Sequence, residues 1–197
     1  MPKPDVSDER KSQIIDASID VFAKHGFQKA RMDDIAKKAK LAKGTLYLYF
    51  KNKDEIIQHV LASMVDSELI EIKKLQHADL PTKDKLFKAV DLFINDFEKL
   101  EPLLPLFIDI YAYVLRSKPI RKFLNVYLDA YLEALIPIIE EGIANGELKD
   151  VDPECAAISI GAIFEGTLIL MIYDPERIDL NKHMHFNIEM LLQGLLI

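Results

Sequence analysis

The residues best suited to chemistry lie in one run, Lys43-Gly44-Thr45-Leu46-Tyr47-Leu48-Tyr49-Phe50-Lys51-Asn52-Lys53-Asp54-Glu55. Lysines, a threonine and two tyrosines stand here at the start of one helix and beside the start of the next. Such groups donate hydrogen bonds to phosphate oxygens and to base edges. Lys43 and Thr45 can reach base edges, while the tyrosine hydroxyls and Lys53 can grip phosphates. Lys53 would sit at a helix N-terminus, where a cation is unfavourable unless an anion lies nearby. Just upstream, Met32 to Ala39 is a short amphipathic segment with Ile35, Ala36 and Ala39 on one face and Asp33, Lys37 and Lys38 off it. Two short helices joined by a brief turn, the second rich in Tyr, Thr and Lys, form the pattern of a helix-turn-helix that enters a DNA groove. Leu46, Ile35 and Phe50 fit the core behind it, and Tyr47 and Tyr49 lie off that inner face.

From about Arg10 to Val60 the chain resembles the tetracycline-repressor (TetR) family of bacterial regulators. The resemblance is carried by Gly26-Phe27, Asp33-Asp34-Ile35-Ala36, Lys43-Gly44-Thr45-Leu46-Tyr47 and Tyr49-Phe50-Lys51-Asn52-Lys53-Asp54-Glu55, in that order. It implies DNA contacts from Arg31, Lys43, Gly44, Thr45, Tyr47, Leu48, Tyr49 and Lys53. Some positions depart from the family pattern. Ala30 and Arg31 stand where Thr or Ser is frequent; Arg31 can replace a phosphate contact but cannot cap a helix. Lys40 stands where a turn glycine is common, at a cost of roughly 1 kcal/mol if the turn needs a positive φ. Ala42 replaces a frequent serine cap.

Those residues must be held by helices, and the rest of the chain reads as helices only. No segment alternates with period two, so the fold expected is all-α. Ser7 is placed to cap the first helix, whose stripe Ile14, Ile15, Ser18, Val21 and Phe22 ends at Gly26. Helices are expected at about 32–39 and 43–50, and Asn52 with Glu55 makes a capping box for a long fourth helix. Breaks fall at Asp79-Leu80-Pro81-Thr82, Glu101-Pro102, Ser117-Lys118-Pro119, Asn145-Gly146 and Asp174-Pro175. Asp152-Pro153 starts a helix. The domains expected are a helix-turn-helix DNA-binding domain over 1–53 and a larger helical ligand-binding and dimerisation domain over 54–197.

Net charge is −7 over 197 residues, yet residues 1–60 carry 12 Lys and Arg against 9 Asp and Glu, and the remainder 13 against 23. The positive charge thus lies where the helix-turn-helix lies, and DNA binding needs a local basic patch, not a basic chain. The single cysteine, Cys155, excludes an internal disulfide framework and suits a reducing cytoplasm. It lies in an apolar helix, where a buried, inert thiol is expected. The start shows no apolar run, so a secretory leader is not expected. The apolar stretch Cys155 to Tyr173 contains Glu165 and reads as a core or interface helix before a membrane span.

No catalytic constellation stands out. His183 and His185 are two apart and diverge on a helix, and there is no phosphate-cradling glycine loop. An enzyme is not expected, nor is any cofactor or metal. The competing readings are a helical small-molecule-binding protein without DNA binding and an enzyme on a helical scaffold.

In the larger part, Gly146-Glu147-Leu148 before Asp152-Pro153-Glu154, and Glu165-Gly166, echo the same family. The resemblance implies a ligand pocket and a dimer interface there. Phe93, Phe97, Phe107, Tyr111, Tyr127, Phe164 and Met171 are pocket candidates. Ile158, Gly161, Ala162, Glu165, Leu168, Ile169, Ile188 and Leu192 are interface candidates, because the last two helices hold more apolar surface than one thin layer needs. Glu165 would face a cationic ligand, hydrogen-bond across the interface, or reach solvent at a helix edge; the interface is favoured. The expected partners are a double-stranded, palindromic DNA operator, a second copy of the chain and an unidentified small-molecule effector.

Overall fold

The computed structural model describes residues 6–100, 104–114 and 116–196, with backbone alone for residues 6, 63–68, 96–100, 105 and 107. The described residues form helices and no strand: α1 (Val6–His25), α2 (Met32–Lys38), α3 (Lys43–Tyr49), α4 (Lys53–Leu75), α5 (Thr82–Leu100), α6 (Leu104–Val114), α7 (Lys118–Ala144), α8 (Pro153–Tyr173) and α9 (Leu180–Leu195). The chain divides into two compact units, Met1–Val65 with Leu100–Asn125, and Asp66–Lys99 with Val126–Ile197. The long helices α4 and α7 supply residues to both.

In the first unit, α1, α2, α3 and the start of α4 close over Ile14, Phe22, Ile35, Leu46, Phe50 and Ile57, all essentially buried, and Leu106, Ile110 and Ile120 join the same core. Burying each such side chain contributes about 1.5–3 kcal/mol. Local signals end the helices as the sequence requires. Gly26 closes α1 with φ +74°. Lys40 closes α2 in the left-handed region with φ +56°, and the Leu41 N–H reaches back to the Ala36 carbonyl at 2.9 Å. That is the glycine-type helix ending built on a lysine. Gln13 supports it, its side-chain amide donating to the Ala39 carbonyl at 2.7 Å.

Asn52 Oδ1 accepts from the Glu55 N–H at 2.9 Å, as a capping box requires, but Glu55 reaches back to the Lys51 N–H at 2.7 Å. The first helix begins at Val6, so Ser7 lies in its first turn and not before it.

In the second unit, Asp152 caps α8 by accepting from the Cys155 N–H at 2.8 Å, with Pro153 opening the helix, and Asp179 caps α9 in the same way at Lys182. The Thr82 N–H at the start of α5 donates to Glu147 at 2.7 Å. Lys85, 1% exposed, pairs with Glu141 at 2.6 Å and ties α5 to α7. Tyr131 donates to the Ala157 carbonyl at 3.1 Å, holding α7 to α8.

Candidate nucleic-acid interface

The candidate surface is built on α3. At 100° per residue, Gly44 and Leu48 fall opposite Leu46, and Thr45 and Tyr47 flank them. Leu46 is fully buried and anchors the helix. Leu48 is 83% exposed and Tyr47 44% exposed; Thr45 is half-buried, and Lys43 and Gly44 are exposed. Tyr49 packs partly against the core. A side chain at Gly44 would meet nothing within 4 Å, so packing within the chain does not explain that glycine. Neither helix of the pair has a side-chain cap. Arg31 precedes α2 in extended conformation and Ala42 precedes α3 in the same way, as Arg31 and Ala42 in the sequence foretold. Arg31 is exposed.

Two lysines are held. Lys43 pairs with Asp33 on α2 at 2.6 Å, both side chains exposed, and the hydrogen bond it donates to Asp33, aided by the carboxylate charge, raises the Lys43 pKa. Lys53 donates to the Phe27 and Gln28 carbonyls, each at 2.8 Å, and lies 4.8 Å over the Phe27 ring. Burial lowers its pKa. The two carbonyls provide the compensation that sequence reasoning assigned to a phosphate; an ammonium has three N–H groups, so one remains for a further acceptor.

Asp109 was not anticipated. It accepts from the Phe27 N–H at 2.9 Å, and as the sole charged residue of α6 it carried a readable signal. Asp33 stands in the sequence as part of the family pattern and off the apolar face, and neither reading pairs it with Lys43; the structure brings the first turn of α2 against the start of α3.

The other candidates fall as follows. In the second unit, Phe93 is buried against Phe164, with centroids 5.4 Å apart, and against Tyr131 at 5.6 Å; Tyr131 was missed. Tyr127 and Met171 are half-buried. Tyr111 belongs to the first unit and is exposed. The side chains of Phe97 and Phe107 lie outside the described residues.

On α8, Ile158, Ala162, Glu165 and Ile169 are exposed, and Gly161 and Leu168 half-buried. Gly161 lies 3.3 Å, at its implied Cβ, from the Tyr131 ring. Ile188 and Leu192 are corrected: both are fully buried within their own unit, so they offer no surface to a partner. The exposed apolar residues of α9 are Phe186 and Met190. Cys155 is also corrected. It is exposed at the first turn of α8, and the neighbouring Asp152 charge raises its pKa. Among the described residues, α8 is long and apolar enough to cross a membrane by length and composition, with little of it buried. No three His, Cys, Asp or Glu side chains come together as a metal site among them.

A buried anchor, a tight turn and an exposed polar-aromatic face on the second short helix define the class: a helix-turn-helix DNA-binding protein. Comparison with known proteins agrees. Residues 14–60 match the model of the bacterial regulatory proteins of the tetR family, and residues 68–196 that of the C-terminal region of QacR-like protein. A fatty acid metabolism regulator protein of Bacillus subtilis is 30% identical over 93% of this chain and 94% of its own length. The crystal structure of the transcriptional regulator FadR from Bacillus subtilis in complex with stearoyl-CoA superposes with a TM-score of 0.77, at 28% identity over 93% of this chain and 98% of that one. SmeT, the repressor of a Stenotrophomonas maltophilia multidrug efflux pump, shares the fold with a TM-score of 0.77 at 21% identity, over 95% of this chain and 90% of its own. The chain belongs to the TetR family and is a ligand-responsive DNA-binding transcriptional regulator.

Proposed function

We propose that the protein is a bacterial repressor that binds a palindromic operator as a homodimer and is released by a small amphipathic effector of the long-chain acyl-CoA class. The observation that carries the DNA part is the outer face of α3, where Gly44, Tyr47 and Leu48 are exposed and Thr45 is half-buried beside them. Such a face fits the major groove, with Lys43 and Thr45 toward base edges and Arg31, Tyr47, Tyr49 and Lys53 toward phosphates. The bare backbone at Gly44 permits close approach to DNA.

The dimer reading rests on α8 and α9. Ile158, Ile169, Leu170, Ile172, Phe186 and Met190 are exposed apolar residues, and a face of that size on a soluble regulator is satisfied by a second copy. Glu165 is exposed on this helix, and we place it at the rim of that interface. Support for the effector class comes from the Bacillus subtilis relative seen in complex with stearoyl-CoA; the packed aromatic pair Phe93 and Phe164, in the same unit as Tyr127 and Met171, would meet an acyl chain. Effector binding would alter the spacing of two heads through α4, which holds residues of both units. It shifts the balance only by binding the DNA-free state more tightly.

The test is a mobility shift with DNA from the chain's own upstream region, across salt concentrations and with stearoyl-CoA added. Binding that weakens steeply with salt and again with the acyl-CoA supports the reading. Salt-dependent binding untouched by acyl-CoA removes the effector class alone, and no salt-dependent binding removes the repressor.

A further inference from the structure

Phe27 lies in the turn between α1 and α2, and both polar atoms of its backbone are held by side chains from distant helices. Its N–H donates to Asp109 Oδ2 on α6 at 2.9 Å, and its carbonyl accepts from Lys53 Nζ on α4 at 2.8 Å. The ring is held as well, with its centroid 5.3 Å from that of Phe22 and 5.2 Å from that of Tyr113, both edge-on. Gly26 makes the approach possible. A Cβ there would stand 2.8 Å from Asp109 Oδ2, and its φ is +74°. The turn clamped in this way leads directly into α2, and α2 carries α3.

The charge of Asp109 runs against DNA binding, since a carboxylate in this unit repels phosphate. A local contact must offset it. We propose that Asp109 is a positioning residue for DNA binding: by holding the Phe27 amide it fixes the direction in which the α2–α3 pair leaves α1. With that bond lost, the head samples other orientations, and apparent affinity falls by the competent fraction. This rests on the dimeric DNA-binding reading. If about one head in three stays competent, two heads together lower the affinity about tenfold.

The experiment measures the affinity of the full-length protein for its own upstream DNA over a salt series, with amide exchange at Phe27 followed in parallel. Asp109→Ala is expected to bind about tenfold more weakly with an unchanged salt slope, since no phosphate contact is lost. Asp109→Asn is expected to bind within about twofold of the original chain, because its amide oxygen accepts the same bond. Phe27 exchange should quicken in the alanine variant only. If Asp109→Ala does not stay folded at assay temperature, Asp109→Glu replaces it, its carboxylate one methylene too far along, with the same expectations. Binding by the alanine variant at full strength or tighter overturns the proposal, and so does an equal loss in Asp109→Asn. If the original chain itself shows no salt-dependent DNA binding, the repressor reading fails, and the Phe27 exchange rates still decide whether Asp109 holds the turn.

Discussion

Lys53 holds the Phe27 turn, and the proposed DNA contact would give it a second task. Its ammonium closes the end of that turn through two carbonyls, and its third N–H is the one a phosphate would take. Lys53→Ala should therefore weaken binding to every DNA sequence about equally and reduce the salt slope by about one unit. The same variant should also melt at lower temperature, having lost two charge-assisted hydrogen bonds. A lower melting temperature with an unchanged slope would leave Lys53 a role in the turn alone. Lys43 differs, because Asp33 holds it on the surface. Asp33→Asn frees the lysine and removes a nearby negative charge, so binding to random DNA should tighten and the preference among operator variants should narrow. A randomised-site selection reads both. Cys155 gives a check away from DNA. The Asp152 charge raises its pKa, which lowers the thiolate fraction at neutral pH. Asp152→Asn keeps a good helix cap and removes the charge, so alkylation of Cys155 near pH 7.5 should quicken. An unchanged rate would mean that Asp152 does not govern the thiol.

At the level of elements, the turn between α2 and α3 carries a definite strain. Lys40 adopts φ +56°, which costs a non-glycine residue about 1 kcal/mol or somewhat more. Lys40→Gly should stabilise the chain by about that amount, a rise of roughly 2–4 °C in melting temperature for a chain of this size. A fall would mean that the Lys40 side chain makes a compensating contact. Leu46 is the opposite case. It is fully buried beneath α3, so Leu46→Ala should cost about 2–5 kcal/mol and displace the whole recognition face. The elements were legible because caps and breakers act over a few residues: Gly26, Asn52, Asp152 with Pro153, Asn145-Gly146 and Asp174 all end or begin helices where their chemistry requires. The outer face of α3 was legible for the same reason, once Leu46 was placed inside. What was not legible depends on residues far apart in sequence. The bond from Phe27 to Asp109 joins the turn between α1 and α2 to α6, and periodicity says nothing of it. Ile188 and Leu192 have the spacing of an interface and the burial of a core, and only the packing of α9 on α8 separates the two. Cys155 was assigned to an apolar interior, yet its place in the first turn of α8 leaves it in solvent.

Over the whole molecule, charge and apolar surface are divided along the chain. The first 60 residues are net positive and the remainder strongly negative, which favours docking on DNA through the helix-turn-helix and disfavours it elsewhere. The exposed apolar side chains of α8 and α9, among them Phe186 at 64% and Tyr173 at 75% exposure, are the surface that the proposed dimer would cover. Light scattering at micromolar concentration should give the mass of two chains, and Ile169→Glu should shift it toward one. A one-chain mass for the unaltered protein would end the dimer account. The central claim, a two-headed protein reading DNA with α3, is tested most directly by hydroxyl-radical footprinting on its upstream DNA. Two protected patches related by two-fold symmetry are predicted, on one face of the duplex and separated by a whole number of helical turns. Weakening Leu48 or Thr45 contacts should fade both patches together. A single unpaired patch, or protection that ignores sequence along the fragment, would contradict the account.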